Sequence, residues 1–193
     1  MTQTQPAATA TRLAGGTNLP VPGRWQIDPG HTELAFIGRH FMLTKVRGRF
    51  SKISGTFEIG DDPSESSVEV TIDMNSVESG SRDRDDHLRS SDFFDVANFP
   101  EATFRSTSLT WSGAEANIEG ELPIVGITRP VSLDVVYVGS VGDPWGGQRA
   151  VFSASTEVNR EDWGLTWNVA LEAGGVLVSK KIRIEIELEA VRD

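Results

Sequence analysis

Residues 182–189 read Ile-Arg-Ile-Glu-Ile-Glu-Leu-Glu, an unbroken alternation of apolar and charged side chains. Successive side chains of an extended chain point to opposite faces, so this segment predicts a strand with one face on a core and one in water. Such half-buried strands are typical of antiparallel sheets, because parallel strands are usually covered on both faces. The segment therefore favours an antiparallel all-β fold.

The same period of two recurs along the chain from Trp25 onward. It is clear at 68–73 and 115–124, and further strands are predicted at 32–38, 47–59, 103–110, 131–138 and 150–158. The total approaches eight strands. Within 47–59 the apolar parity changes between Phe50 and Ile53, and Gly48 and Gly55 favour a bulge or sharp bend there. Strong curvature fits a barrel, although alternation alone fits a sandwich equally well.

One helix and one tail complete the expected organisation. Residues 82–90 carry opposite charges four apart, such as Arg82 and Asp86, and are predicted to form a short helix over one barrel end. Residues 1–23 have Arg12 as their only charge and are predicted to be a flexible tail, followed by one domain at 24–193. The tail lacks an apolar run like a secretory signal, and no later stretch reaches the roughly 20 apolar residues that cross a bilayer. A cytoplasmic location is therefore expected.

Composition excludes several function classes. A formal net charge of −10 repels phosphate backbones, which argues against a nucleic-acid partner. The absence of cysteine excludes disulfides and thiolate chemistry. The histidines are His31, His40 and His87, and no two of them have metal-ligand spacing. Neither a nucleophile elbow nor a phosphate-binding glycine loop is present, so we expect no metal, no cofactor and no catalytic residues.

Several stretches resemble the YceI-like family. They are Trp-Gln-Ile-Asp-Pro-Gly-His-Thr at 25–32, followed by Phe36 and His40; Arg-Asp-Asp-His-Leu-Arg-Ser-Ser-Asp-Phe-Phe at 84–94; Phe-Pro-Glu-Ala-Thr-Phe at 99–104; Gly-Ile-Thr-Arg-Pro-Val at 126–131; and Asn159-Arg160 with Trp163-Gly164. The resemblance runs from Trp25 to about Val191. It implies an eight-stranded, lipocalin-like barrel that binds polyisoprenoid or related long-chain amphiphiles, often as a homodimer. Because the tail lacks the signal of periplasmic relatives, the chain is similar to a cytoplasmic branch.

Two interpretations of the apolar interior follow from the residues alone. Eight strands leave an interior that is either filled by side chains or holds one ligand, so inward aromatic residues fit a plain core as well as a tunnel. The family resemblance favours the tunnel, with a polyisoprenoid, an isoprenoid quinone or a fatty-acid-like amphiphile inside. The predicted ligand contacts are Phe36, His40, Phe50, Phe57, His87, Leu88, Phe93, Phe104, Phe152 and Trp167.

A basic stretch interrupts this acidic chain. Residues 34–57 contain no Asp or Glu but several cations, a pattern that could meet a phosphate head group or an anionic membrane. The alternative is a solvated face whose cations pair with acids on a neighbouring strand. The head-group candidates are Arg39, Lys45, Arg47 and Arg49.

Three functions remain, in decreasing order of preference. The first is a non-enzymatic lipid carrier, transporter or storage protein, without stable membrane insertion. The second is a hydrolase or isomerase that acts on a bound amphiphile. The third is an interaction barrel with a filled interior. Fold alone does not choose among them.

Overall fold

The computed structural model describes residues 11–170 and 177–193. Within these ranges the elements are, in chain order, β1 (Thr11–Ala14), β2 (Thr17–Pro20), β3 (Gly23–Ile27), β4 (Glu33–His40), β5 (Thr44–Phe50), β6 (Ile53–Ile59), β7 (Ser67–Asp73), β8 (Val77–Glu78), helix α1 (Arg82–Arg89), β9 (Glu101–Ser112), β10 (Glu115–Ile124), β11 (Ile127–Gly142), β12 (Gln148–Asn159) and β13 (Lys181–Arg192). Short 3-10 turns lie at Pro29–His31, Pro63–Glu65, Met74–Ser76 and Arg160–Trp163.

The strands close into an antiparallel barrel. Eight of them follow one another in the order β12-β11-β10-β9-β7-β6-β3-β13, and β13 pairs back onto β12 to complete the ring. The long β13 also pairs with β4, which continues β3 beyond the Pro29–His31 turn. In the same way, β5 and β6 are the two parts of one bent strand, and β7 and β8 are the two parts of another. The predicted eight-stranded, lipocalin-like barrel is confirmed, and the sandwich is excluded.

The bend expected between Phe50 and Ile53 is present as a break between β5 and β6. The backbone amides of Ser51 and Lys52 leave the ladder and donate to the carbonyl and hydroxyl oxygens of Ser76, at 3.2 and 3.1 Å. Because the break shifts the alternation by one residue, both Phe50 and Ile53 face the interior and are buried. The change in the alternation of apolar residues between Phe50 and Ile53 is therefore explained by this bend.

The helix was predicted within one residue of its observed end, since α1 covers Arg82–Arg89. Its expected pair Arg82–Asp86 is present at 3.9 Å, whereas Asp85 accepts the backbone amide of Ser79 at 2.7 Å. Arg89 ties α1 to the barrel by donating to the carbonyl oxygen of Val77 at 2.6 Å. Within the described ranges, no helix is long and apolar enough to cross a membrane.

Half of the predicted tail differs from the expectation. Residues 11–20 form the hairpin β1–β2, with Leu19 buried in the core. Arg12 donates through Nη2 to the carbonyl oxygen of Gly60 at 2.6 Å, which fixes the hairpin to the barrel. Its turn is made by Gly15 and Gly16, both with positive φ, a geometry that glycine adopts without strain. For this part the structure has a hairpin where the sequence suggested a tail, and residues 1–10 lie outside the described residues.

Candidate ligand-binding site

A cavity of about 630 Å³ occupies the barrel interior. Its wall is formed by inward side chains of β4 to β7 and β9 to β13, with α1 and the segments around Trp167 and Val178 at one end. The volume lies within the roughly 300–1,000 Å³ typical of small-molecule sites. The interior is therefore open, and the filled core is not what the sequence builds.

All ten residues predicted to contact a ligand line this cavity. They are Phe36, His40, Phe50, Phe57, His87, Leu88, Phe93, Phe104, Phe152 and Trp167. Contact with a ligand stays a prediction for each of them. Their common position follows from parity, because the strand residues among them all lie on the inward-facing side of the alternation.

Aromatic rings divide the cavity into a floor and a wall. Phe57 and Phe152 stack with centroids 5.7 Å apart, and Tyr137 packs against Phe152 from outside the cavity at 5.4 Å. Nearer α1, the ring centroids of Phe36 and Phe50 lie 5.6 Å apart, and those of Phe94 and Phe50 also lie 5.6 Å apart. These offset and tilted contacts are favourable ring geometries, so the rings support one another without a ligand.

Two glycines make room for rings in the wall. A Cβ on Gly48 would lie 2.2 Å from Cζ of Phe36, its cross-strand partner. A Cβ on Gly120 would lie 2.3 Å from Cζ of Phe104. The Phe36 and Phe104 rings lie against bare backbone, which leaves the centre of the barrel empty.

The cavity opens between α1 and the β4–β5 hairpin. Arg39, Asp83 and Arg84 are the described lining residues that are also exposed, so they mark this opening. Arg84 donates to the carbonyl oxygen of Ser79 at 2.6 Å. The polar groups of the lining are concentrated here, whereas the floor is apolar.

His87 projects from α1 into the same end of the barrel. Its Nε2 lies 2.9 Å from a carboxylate oxygen of Asp92, while its ring meets Trp167 at 4.5 Å and Phe93 at 5.1 Å. The imidazole is thus in contact with a carboxylate and with two aromatic rings that lie nearly perpendicular to it. The imidazole is held in place beside the opening.

The basic candidates separate into two groups. Arg39 lies in the cavity wall, and its Nη1 donates to the carbonyl oxygen of Leu43 at 3.2 Å. Arg47 instead bonds Glu185 at 2.7 Å and Glu33 at 2.5 Å, and these carboxylates raise its pKa.

Two further candidates also lie outside the lining. Arg49 bonds Glu78 at 3.0 Å, and Lys45 is exposed near the tip of the β4–β5 hairpin. Pairing with acids on neighbouring strands, the alternative raised from the sequence, describes Arg47 and Arg49 in this structure, and head-group contact by either residue stays a prediction.

Sequence reasoning missed Arg160 as a lining residue. It is only 5% exposed, and its guanidinium donates to the carbonyl oxygens of Ser179, at 3.0 Å, and Leu165. Burial lowers its pKa from the ordinary arginine value. The Asn159-Arg160 pair was quoted as a family landmark, and that motif was the available signal. The structure shows that Arg160 fastens the chain after β12 to the wall.

A cluster of possible metal ligands lies at the opposite end of the barrel. Asp28, His31 and Glu189 bring their ligand atoms within 4.8 Å of one another. Arg149 already bonds both carboxylates, Asp28 at 2.7 Å, and His31 Nδ1 lies 3.0 Å from Asp28. Arg149 and His31 hold the pKa of Asp28 at about 2. The group therefore acts as an ion-pair network that closes this end.

Together, the closed β-barrel and its apolar internal cavity, which opens at one end, define a lipocalin-like binding barrel. The chain belongs to the YceI-like family, whose domain model matches residues 25–190. Protein YceI of Salmonella newport (strain SL254) is 35% identical over 187 residues, which cover 95% of each chain. The resemblance seen in the motifs is thereby confirmed.

Solved structures show the same fold. The Campylobacter jejuni YceI protein matches with a TM-score of 0.68 at 26% identity, over 80% of this chain and 90% of its own. Burkholderia cenocepacia BcnA matches with a TM-score of 0.72 at 21% identity, over 84% and 98%. A polyisoprenoid binding domain from Saccharophagus degradans, implicated in plant cell wall breakdown, matches with 0.63 at 16%, over 88% and 98%. At such identities the last two support the fold alone.

Proposed function

We propose that this protein binds one long apolar lipid, with the chain inside the barrel and the polar head at the opening. The observation that carries the proposal is the 630 Å³ cavity, apolar at its floor and polar at its mouth. Polyisoprenoids, isoprenoid quinones and fatty amphiphiles all have this division. The polyisoprenoid binding described for the Saccharophagus degradans domain agrees with it.

The cavity sets a limit on chain length. At about 30 Å³ for each water-sized group, 630 Å³ holds roughly 20 non-hydrogen atoms. Each buried methylene contributes about 0.8 kcal/mol before the costs of association. Affinity should therefore rise with chain length up to roughly 20 carbons and then level off, because further carbons stay outside the barrel.

The opening supplies groups for a polar head. Arg39, His40, Arg84 and His87 border it, so a phosphate, hydroxyl or carbonyl oxygen placed there meets cationic or hydrogen-bonding partners. The floor offers a head group no such polar partners, because the stacked rings of Phe57 and Phe152 form it. The lipid should enter tail first.

We further propose carriage or storage rather than turnover. Two of the titratable groups at the opening already have protein partners, His87 in Asp92 and Arg84 in the carbonyl oxygen of Ser79, so they are positioned to hold a head group rather than to move a proton. Incubation with a bound lipid should return that lipid unchanged. A cytoplasmic location and a homodimer remain proposals, to be tested by cell fractionation and by light scattering.

Probe displacement tests the binding function. A fluorescent fatty-acid analogue should bind saturably with one site per barrel, and an isoprenoid alcohol of about 20 carbons should displace it. A soluble head-group analogue without a tail should displace it poorly. Absence of saturable binding in well-folded protein would refute the proposal.

A further inference from the structure

The β4–β5 hairpin ends in an apolar tip, made of Phe41, Met42 and Leu43, that points into solvent. Phe41 and Met42 are each 48% exposed and Leu43 is 79% exposed. Three consecutive exposed apolar residues are costly in water unless they serve a contact. Apart from the ring of Phe41, which meets that of His40 with centroids 4.1 Å apart, the tip is an exposed apolar surface within the described part of the chain.

The backbone of the tip adds to this cost. Phe41 and Met42 have φ values of 52° and 60°, in the left-handed region that Asn and Gly occupy with less strain. The sequence thus places large apolar side chains where a tight turn favours small polar ones. Such strain is most readily understood when the side chains themselves are needed.

Positive charge flanks the apolar tip. Arg39 and Lys45 lie directly opposite each other across the two strands, a like-charge pair that does not stabilise a sheet. Neither forms an ion pair with any of the residues at 11–170 and 177–193, in contrast to Arg47 and Arg49 further along the hairpin. In a chain of net charge −10, two neighbouring cations without an ion pair among the described residues are a local reversal of charge beside the apolar tip.

The hairpin is also fixed beside the cavity opening. The amide of Phe41 donates to the carbonyl oxygen of Leu177 at 2.9 Å, and His40 bridges to Val178. His40, Leu177 and Val178 all line the cavity. Whatever binds the tip therefore meets the mouth through which a lipid passes.

We infer that the apolar tip and its flanking cations dock the barrel reversibly on an anionic lipid bilayer, mouth towards the membrane. Apolar side chains enter the boundary between head groups and acyl chains, while Arg39 and Lys45 meet anionic head groups. The net charge of −10 disfavours approach to an anionic bilayer by the molecule as a whole, so binding has to rely on a local cationic and apolar surface such as this tip. The inference goes beyond the proposed cavity function, because docking requires no occupied cavity.

Site-specific labelling tests the orientation, since the chain has no cysteine of its own. Leu43→Cys carries a polarity-sensitive dye, and the matched control is Trp145→Cys, at a residue 85% exposed in the loop before β12, at the other end of the barrel. Vesicles of phosphatidylcholine and phosphatidylglycerol in equal parts should shift the emission of the first dye to the blue and leave the second unchanged. High salt should reverse the shift.

Sedimentation with the same vesicles gives the magnitude. Lys45→Gln should lower partitioning about fivefold and Leu43→Ser about tenfold or more, because each removes one contact with the bilayer. Trp145→Ser should partition as the unmodified protein does. None of these residues lines the cavity, so probe binding should be unchanged in all three variants.

Three results would overturn the inference. They are no partitioning to anionic vesicles, equal dye shifts at the two labelled positions, and a dimer that Leu43→Ser dissociates without any vesicle effect. The last would assign the tip to a second copy of the chain. Failure to bind vesicles with normal probe binding would refute docking and leave the proposed lipid-binding function unaffected. Vesicle binding without probe binding would refute the lipid-binding function and leave docking unaffected.

Discussion

Filling the cavity from β12 should shorten the lipid that the protein accepts. Ala154 lines the cavity and lies opposite Val135 on one neighbouring strand and Ile186 on the other. In Ala154→Phe the added ring brings about six carbons into the cavity, or about 180 Å³ at roughly 30 Å³ per group. Room for roughly 20 atoms then falls to about 14.

The loss in affinity should depend on chain length. A chain of about 20 carbons loses the burial of about six, worth up to about 5 kcal/mol before compensation. If half is recovered by contact with the new ring, about 2.5 kcal/mol remains, or roughly 60-fold in Kd. A chain of about 10 carbons still fits, so its affinity should change less than about threefold.

Displacement of a fluorescent fatty-acid analogue by isoprenoid alcohols of about 10, 15 and 20 carbons measures this dependence. Ser155→Phe is the matched control, because the adjacent residue of β12 faces the outside of the barrel. The ring in Ala154→Phe enters empty space, so the free energy of unfolding should fall by less than about 1 kcal/mol. Equal losses for all chain lengths, or none for the longest, would refute the assigned cavity.

Three predictions concern stability. Asp28 has a pKa of about 2 in the folded protein and 3.8 in the unfolded reference, so the stability that its carboxylate contributes is present above about pH 4 and lost as the pH falls towards 2. In Asp28→Asn the melting temperature should therefore be lower at neutral pH and should depend less on pH between 4 and 2. Gly48→Ala drives a methyl group into the Phe36 ring and should cost about 1–3 kcal/mol in urea unfolding, with partial recovery when Phe36→Leu is added; no cost would contradict the close approach. Arg160→Leu leaves two buried carbonyl oxygens without donors and should cost about 2–4 kcal/mol, whereas an unchanged melting temperature would show that water replaces the guanidinium.

The barrel was predictable because alternation of side chains encodes which face of each strand is buried. Residues 182–189 illustrate this, since their apolar members face inward in β13. The same rule placed Phe36, Phe104 and Phe152 on the cavity wall. Alternation does not encode closure, which required the pairing of β13 with β12 and β3, a contact between distant parts of the chain.

The partners and the burial of individual charged side chains could not be predicted from the sequence. Arg47 pairs with Glu185, 138 residues away, and such a partner is known only once β13 lies beside β4. Arg160 is buried although arginine is usually exposed, and the carbonyl oxygens of Ser179 and Leu165 accept from its Nε and Nη1. The β1–β2 hairpin was obscured by the Thr, Ala and Gly composition of its segment, although Gly15-Gly16 was an available turn signal.

Native mass spectrometry of freshly purified protein, followed by denaturation and organic extraction, tests the central claim most directly. The account predicts a bound species near one per barrel that dissociates on unfolding and is identified in the extract as a long-chain amphiphile. Emptied protein should take up an isoprenoid alcohol of about 20 carbons at the same stoichiometry. Well-folded protein that carries no lipid and takes up none would contradict it.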